Sequence, residues 1–272
     1  REAKGKVVMW DSGNSVGDIS GHTKKINSVA FKPNRPFRIV TGGEEGNVNI
    51  HHGPPFKFAG RLREHTRFVN VVRYSPDGAR VLSASSDMSL AVYDGNDGYE
   101  AASKKLHQGS IFGAAWSPDS ARIATASADK TVGIFDAATL DEVAAVSLGT
   151  RVEDMQVGCI WMAEGIVSYS LGGALSIVDP ANPSAPPRVQ VGHNRPIASG
   201  VYAPSVGRYI TGSFASISDS AAPRGVMRSW DLGEGVAAPF AGEAEHSSRI
   251  VKMVLTAAGS LVSVGLDDDG AR

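Results

Sequence analysis

The chain has a single cysteine, Cys159, in 272 residues and no Asn-x-Ser/Thr sequon. One thiol excludes an internal disulfide, and a reducing, cytoplasmic setting fits that usage. Excess charge of either sign is also absent: 27 Lys and Arg face 28 Asp and Glu. Without a basic block there is no electrostatic case for nucleic acid or an anionic membrane surface. No apolar run approaches the roughly 18–20 residues of a membrane-spanning helix. The opening "REAKGKVVMW" carries no signal-peptide core. A G-x-S-x-G elbow, a phosphate-binding glycine loop and a dinucleotide fingerprint are all missing. The residues therefore give no reaction, no cofactor and no enzyme class.

What the chain does have is a repeat. "SGHTKKINSVAFKP", "REHTRFVNVVRYSPDG", "KLHQGSIFGAAWSPDS", "VGHNRPIASGVYAP" and "EAEHSSRIVKMVLTAAG" each place a histidine before a short alternating apolar run. His22, His65 and His107 are 43 and 42 residues apart, and His193 follows His107 by 86, two periods with a silent repeat between. His246 follows His193 by 53, a repeat lengthened by about ten residues. A second half recurs as well. In "ARVLSASSDMSLAVYD" and "ARIATASADKTVGIFD", Asp87 and Asp129 stand six residues before Tyr93 and Phe135, each followed by Asp. "GKVVMWD" and "GVMRSWD" end on Trp10-Asp11 and Trp230-Asp231. Alternation at Val72 and Tyr74 followed by Ser75-Pro76-Asp77-Gly78 is a strand running into a turn.

A period of about 40–45 residues with Gly-His near the front and Trp-Asp at the end resembles the WD-repeat family. The resemblance implies an all-β propeller of four-stranded antiparallel blades around a central channel. It also implies a buried His–Ser/Thr–Asp–aromatic hydrogen-bond chain, with His107, Thr125 or Ser127, Asp129 and Phe135 in its slots. Phenylalanine has no donor, so that chain is expected to be shortened. Repeats are expected at about 21–60, 61–102, 103–146, 147–188 and 189–241, with partial ones at 1–20 and 242–272. Seven blades need roughly 300 residues at this period, so the ring is expected not to close and the chain to be part of a longer protein. The silent repeat, from about Gly149 to Asp179, lacks both the histidine and the turn aspartate. Its blade is expected to rest on apolar packing alone. "ASISDSAAPRG", 215–225, is an insertion expected to form a mobile loop.

Seven histidines raise the question of a metal, but five fall at the repeat period, one to a blade. Apart from His51-His52, no two have zinc-like spacing. Strand neighbours point to opposite faces, so that pair is a poor site and no metal is expected. Carboxylate pairs such as Glu44-Glu45 and Glu153-Asp154 sit in turns, where solvated charge is the default. Cys159, in "VGCIWM", is expected to be a small core residue.

One stretch breaks the pattern. "NVNIHHGPPFKFAG" puts His51-His52 where Trp-Asp belongs, followed by Gly53-Pro54-Pro55, which removes two amide donors. In the outer strand that follows, Phe56 and Phe58 are expected to share one side, with Phe56 packed between blades and Phe58 nearer an edge. The two imidazoles could make binding pH-sensitive near neutrality. In "HTRFV", Phe68 precedes Val69 and either caps the blade or stands in a surface loop.

"WDSGNSVGDISGH", "FKPNRPFRIVTGG", "GPPFKF", "EHTRFVNVVRYSPDG" and "GTRVEDMQVGCIW" together resemble the family of actin-interacting protein one, WD-repeat cofactors of ADF/cofilin. The resemblance implies two seven-bladed propellers, of which this chain covers the later part of the first and the entry to the second. It implies a non-enzymatic protein of the actin cytoskeleton. Such a protein binds actin filaments and cooperates with ADF/cofilin in their disassembly, by severing or capping. The alternative is a WD-repeat scaffold subunit of another cytoskeletal or ciliary assembly. By resemblance the partner-binding positions are Glu2, Glu44, Phe58 and Phe68, with Glu44 where the family usually has Asp. The repeat positions are His22, His65, His107, His193, Asp87, Asp129, Trp10 and Trp230.

Overall fold

A computed structural model describes residues 3–9, 11–98, 101–193, 195–203, 206–213, 226–231, 237–239, 250–256 and 259–265. Glu2, Trp10, His246 and the 215–225 insertion lie outside the described residues.

The described chain is a succession of antiparallel meanders. β1 (Ala3–Val8) and β2 (Ser15–His22) form a two-stranded sheet. Blade 1 is β3 (Ile26–Phe31), β4 (Arg38–Gly43), β5 (Val48–His52) and β6 (Lys57–Leu62). Blade 2 is β7 (Val69–Tyr74), β8 (Arg80–Ser85), β9 (Ser89–Asp94) and β10 (Ala101–Lys105). Blade 3 is β11 (Ile111–Trp116), β12 (Arg122–Ser127), β13 (Thr131–Asp136) and β14 (Glu142–Ser147). Blade 4 is β15 (Gln156–Met162), β16 (Gly165–Ser170), β17 (Ala174–Val178) and β18 (Arg188–Val191). Blade 5 is β19 (Ile197–Ala203), β20 (Arg208–Ser213), β21 (Val226–Asp231) and β22 (Ala237–Pro239). β23 (Ile250–Leu255) and β24 (Leu261–Gly265) form a second two-stranded sheet, and the propeller is not closed.

There is no single core. Each blade is apolar on both faces and buries them against its neighbours, as propeller blades must. Val40, Val48 and Ile50 of blade 1 pack on Val69, Val72 and Tyr74 of blade 2. Leu82 and Leu90 of blade 2 pack on Ile111, Trp116 and Ile123 of blade 3. Met162, Val167 and Leu175 of blade 4 meet Ile197, Tyr209 and Trp230 of blade 5. A β-bulge recurs near the start of every first strand, at Ile26/Ser28, Val69/Val71, Ile111/Gly113, Gln156/Gly158, Ile197/Ser199 and Ile250/Lys252. A bulge bends and twists a strand locally, and here it marks the repeat even where the histidine is gone.

Buried polar links tie each blade together. His65 Nε2 lies 2.6 Å from Ser83 Oγ, Nδ1 lies 3.2 Å from Asp87 Oδ2, and Tyr93 Oη completes the chain 3.2 Å from Ser83. In blade 3, His107 Nε2 meets Thr125 Oγ1 at 2.6 Å and Nδ1 meets Asp129 at 2.8 Å. Thr125, not Ser127, is therefore the hydroxyl of the chain, and Phe135 ends it with ring packing on His107 at 5.9 Å. In blade 5 Trp230 Nε1 donates to Thr211 Oγ1 at 2.6 Å, and Thr211 meets His193 Nε2 at 2.7 Å. Burial alone would raise the Asp87 carboxyl, but hydrogen bonds from His65, Ser89 and the Thr66 amide outweigh it and hold the group below the usual carboxylate range.

The silent repeat corrects the sequence expectation. Its blade does not rest on apolar packing alone: Val152 stands at the histidine position, but Gln156, the fully buried first residue of β15, supplies the link from four residues further on, and Ser168 Oγ donates to its Oε1 at 2.6 Å. The Gln156 amide in turn donates to the Asp154 carbonyl at 2.7 Å. Glutamine supplies one donor and one acceptor group, so it reproduces the link without an imidazole.

Two expectations follow. Ser168→Ala, which strands the buried Gln156 oxygen, should cost about 1–3 kcal/mol in urea unfolding; an unchanged midpoint would return blade 4 to apolar packing. Burial, with Arg228 nearby, pushes His193 down to about 4. A depressed histidine contributes stability that is complete above the ordinary value near 6.5 and is lost as pH falls toward about 4. Melting temperature followed from pH 7 downward should therefore fall less in His193→Gln, which removes the titrating imidazole but keeps a hydrogen-bonding side chain, than in the wild type; parallel curves would contradict this.

Candidate partner-contact face

Of the residues singled out for partner binding, Glu44, Phe58 and Phe68 lie on blade 1 and the loop that leaves it; Glu2 lies outside the described residues. Glu44 sits in the β4–β5 turn, half-buried, its amide donating to the Lys25 carbonyl at 2.9 Å. Phe68 precedes β7 and is 47% exposed, so of its two expected settings the surface loop is the one found. The two segments abut: a Cβ on Gly46 would come within 2.8 Å of the His65 carbonyl and 3.2 Å of that of Arg67. Gly46 has φ +88°, so both the conformation and the closeness call for glycine.

Phe58 lies on β6 opposite His51 and is 42% exposed. Its other half is packed. The ring edge meets His51 at 5.9 Å between centroids, and a Cβ on Gly21 of β2 would fall 2.9 Å from the Phe58 ring. Gly21, at φ +88°, thus leaves room for the ring to lie against the neighbouring sheet. Phe58 does not touch Glu44 directly. The two are joined through Gly21, His22 and Glu45, because His22 Nδ1 hydrogen-bonds Glu45 Oε1 while Nε2 lies 2.7 Å from Thr41 Oγ1.

That link corrects the view of Glu44-Glu45 as solvated charge. The Glu45 side chain is only 8% exposed and fills the role Asp87 and Asp129 play in the next two blades. Glutamate is longer than aspartate, and Gly43 makes the room: a Cβ there would lie 2.6 Å from Glu45 Oε2. Glu44, beside it, remains half-buried.

Phe56 differs in place from the expected alternation. β6 begins at Lys57, and Phe56 instead bridges in parallel to Gly17 of β2, its amide donating to the Val16 carbonyl at 2.7 Å. It is buried with Val7 and Ile39, as expected of a ring between blades. Gly53-Pro54-Pro55 holds the turn between β5 and this bridge.

The paired histidines separate as strand geometry requires, His51 buried and His52 exposed. His51 fills the aromatic slot, and its Nε2 lies 3.3 Å from both the amide and the carbonyl of Ser20. Burial, opposed by the Ser20 contact, holds His51 below the usual histidine value; His52 is lowered by burial and Arg38. Both are neutral at pH 7, so the sensitivity near neutrality suggested by the sequence moves to lower pH. Cys159 is half-buried, packed against the blade 3–4 core and lining the central cavity rather than enclosed in the core, and burial pushes its thiol up to about 12.

Four-stranded meanders tied by His–hydroxyl–carboxylate links define a WD-repeat β-propeller chain. The family model for the WD domain, G-beta repeat, matches residues 13–52, 56–94 and 101–136. The chain is 40% identical over 98% of its length to WD repeat-containing protein 1 of Xenopus tropicalis. It is 41% identical over 98% to actin-interacting protein 1 of Caenorhabditis elegans. It is 38% identical over 86% to actin-interacting protein 1 of Drosophila melanogaster. It belongs to the family these proteins form. The chain spans 43% of the length of the frog and nematode relatives. The repeat model stops at Phe135-Asp136, and blades 4 and 5, with the repeat histidine missing from one and an insertion in the other, lie beyond it.

The two adjacent glutamates should separate in a stability measurement. Glu45→Ala, leaving buried His22 without its carboxylate, should cost about 2 kcal/mol in urea unfolding; Glu44→Ala should stay within about 0.5 kcal/mol. Equal effects would contradict the assignment.

Proposed function

We propose that this chain is a non-enzymatic actin-filament-binding module that works with ADF/cofilin to promote filament disassembly at the actin cytoskeleton. The observation that carries the reading is the identity of about 40% over nearly the whole chain to relatives named for their interaction with actin. The contact face is built on blade 1, with Phe58 and Phe68 as aromatic anchors and Glu44 as an acidic neighbour; Glu2 belongs to the same proposal. Large exposed rings with carboxylates beside them suit a partner surface that mixes apolar and basic groups. The side chains support this use: two half-exposed phenylalanines flank a turn whose buried glutamate fixes it and whose other glutamate is partly exposed.

Pelleting of actin filaments with and without cofilin tests the reading. The wild-type chain should move actin to the supernatant only when cofilin is present. Phe68→Ala and Glu44→Ala should weaken this at least several-fold at unchanged melting temperature. Phe58→Leu, which preserves packing on Gly21, is the companion variant for Phe58. Disassembly without cofilin, or variants equal to wild type, would refute the proposal.

A further inference from the structure

The first strands of all five blades and of the β23–β24 sheet line one cavity of about 410 Å³, continuous in its lining with a second of about 370 Å³. This is the central channel of the propeller. Arg73 of β7 and Lys252 of β23 line both parts. None of the described residues lining either part is Asp or Glu, although acidic and basic residues are balanced over the whole chain. Among the described residues the Arg73 guanidinium makes one hydrogen bond, from Nη1 to the Val72 carbonyl at 3.1 Å.

Donors without acceptors extend the pattern. Tyr74, Tyr169 and Tyr209 line the cavity; among the described residues the buried hydroxyls of Tyr74 and Tyr209 have no hydrogen-bond partner, that of Tyr74 lying near Arg38 and Asp94. Burial raises all three phenols above their ordinary value, so each keeps its proton and is a donor. Burial among the channel walls, with Arg73 close by, also lowers the Lys252 ammonium to about 8. Two cations facing one confined space, with no carboxylate among its described lining residues, make it electrostatically suited to an anion.

We propose that the channel binds a small, multiply charged oxyanion of the phosphate class, held by Arg73 and Lys252. A tetrahedral oxyanion offers more acceptor oxygens than a carboxylate, which suits a guanidinium, an ammonium and neighbouring phenols together. A cavity of this size admits a phosphate or a small phosphate ester and is too confined for a folded segment. The proposal is independent of the actin reading, since the channel and the blade 1 face use different residues.

The test is titration of the full chain with inorganic phosphate and with pyrophosphate, against sodium chloride at matched ionic strength. Trp116 and Trp161 line the cavity, so their fluorescence reports occupancy. A saturable change is expected with both anions, tighter for pyrophosphate, and absent with chloride. Lys252→Met should weaken it about tenfold or more, while Lys252→Arg, which keeps the charge, should stay within about threefold. Lys252 is exposed to the channel solvent, so its variants are expected to fold; Arg73→Met is the second variant. A response matched by chloride, or a saturable one that neither Lys252→Met nor Arg73→Met alters, would overturn the proposal.

Discussion

The buried hydrogen bond between the second strand of a blade and the residue that leads into it is the constraint on which the structure depends. In blades 1, 2, 3 and 5 it runs from a histidine Nε2 to Thr41, Ser83, Thr125 and Thr211. In blade 4 it runs from Ser168 to Gln156. A propeller blade cannot stand alone, because both faces are apolar and its edges are open. The link fixes the loop that delivers the chain from one outer strand to the next inner strand, so each blade is held in register with its neighbour while the inter-blade packing forms. Leaving such a group unpartnered costs more than the bond contributes when made.

The same link shapes the proposed contact face. Where a carboxylate completes it, the turn between the second and third strands is drawn onto the histidine: Asp87 to His65, Asp129 to His107 and Glu45 to His22. In blade 1 this pins the turn that carries Glu44 and seats Gly21 beside the ring of Phe58. A contact surface on loops needs a rigid base if binding is not to spend its energy on ordering. Here a structural hydrogen bond and the proposed contact face share adjacent residues, His22 with Gly21 and Glu45 with Glu44.

The repeat was legible because its period is carried by residues with few substitutes. His22, His65, His107 and His193 stand before strands at a regular spacing, and Trp230, Tyr93 and Phe135 mark where third strands end. What the spacing concealed were exchanges that preserve hydrogen bonding while changing residue type. Gln156 has a donor and an acceptor like histidine but none of its rarity, and no Gly-His precedes it. Glu45 looked solvated beside Glu44, since only the space over Gly43 shows which of two adjacent carboxylates turns inward. Phe56 left the expected alternation because it bridges to Gly17 of a different sheet. Phe58 and Phe68 could be named only by resemblance; their half-exposure is a tertiary outcome, set for Phe58 by Gly21 of β2. The channel cations were not legible at all, because Arg73 and Lys252 are brought to one cavity only by the arrangement of first strands far apart in sequence.

Hydrogen exchange of the chain, free and bound to cofilin-decorated actin filaments, tests the central claim that blade 1 and the adjoining loop form the contact. Protection should appear at Glu44–Gly46, along β6 from Lys57 and at Thr66–Phe68, with the outer strands of blades 3 and 4 unchanged. Protection confined to β14 or β18, or none on the blade 1 segments, would contradict it.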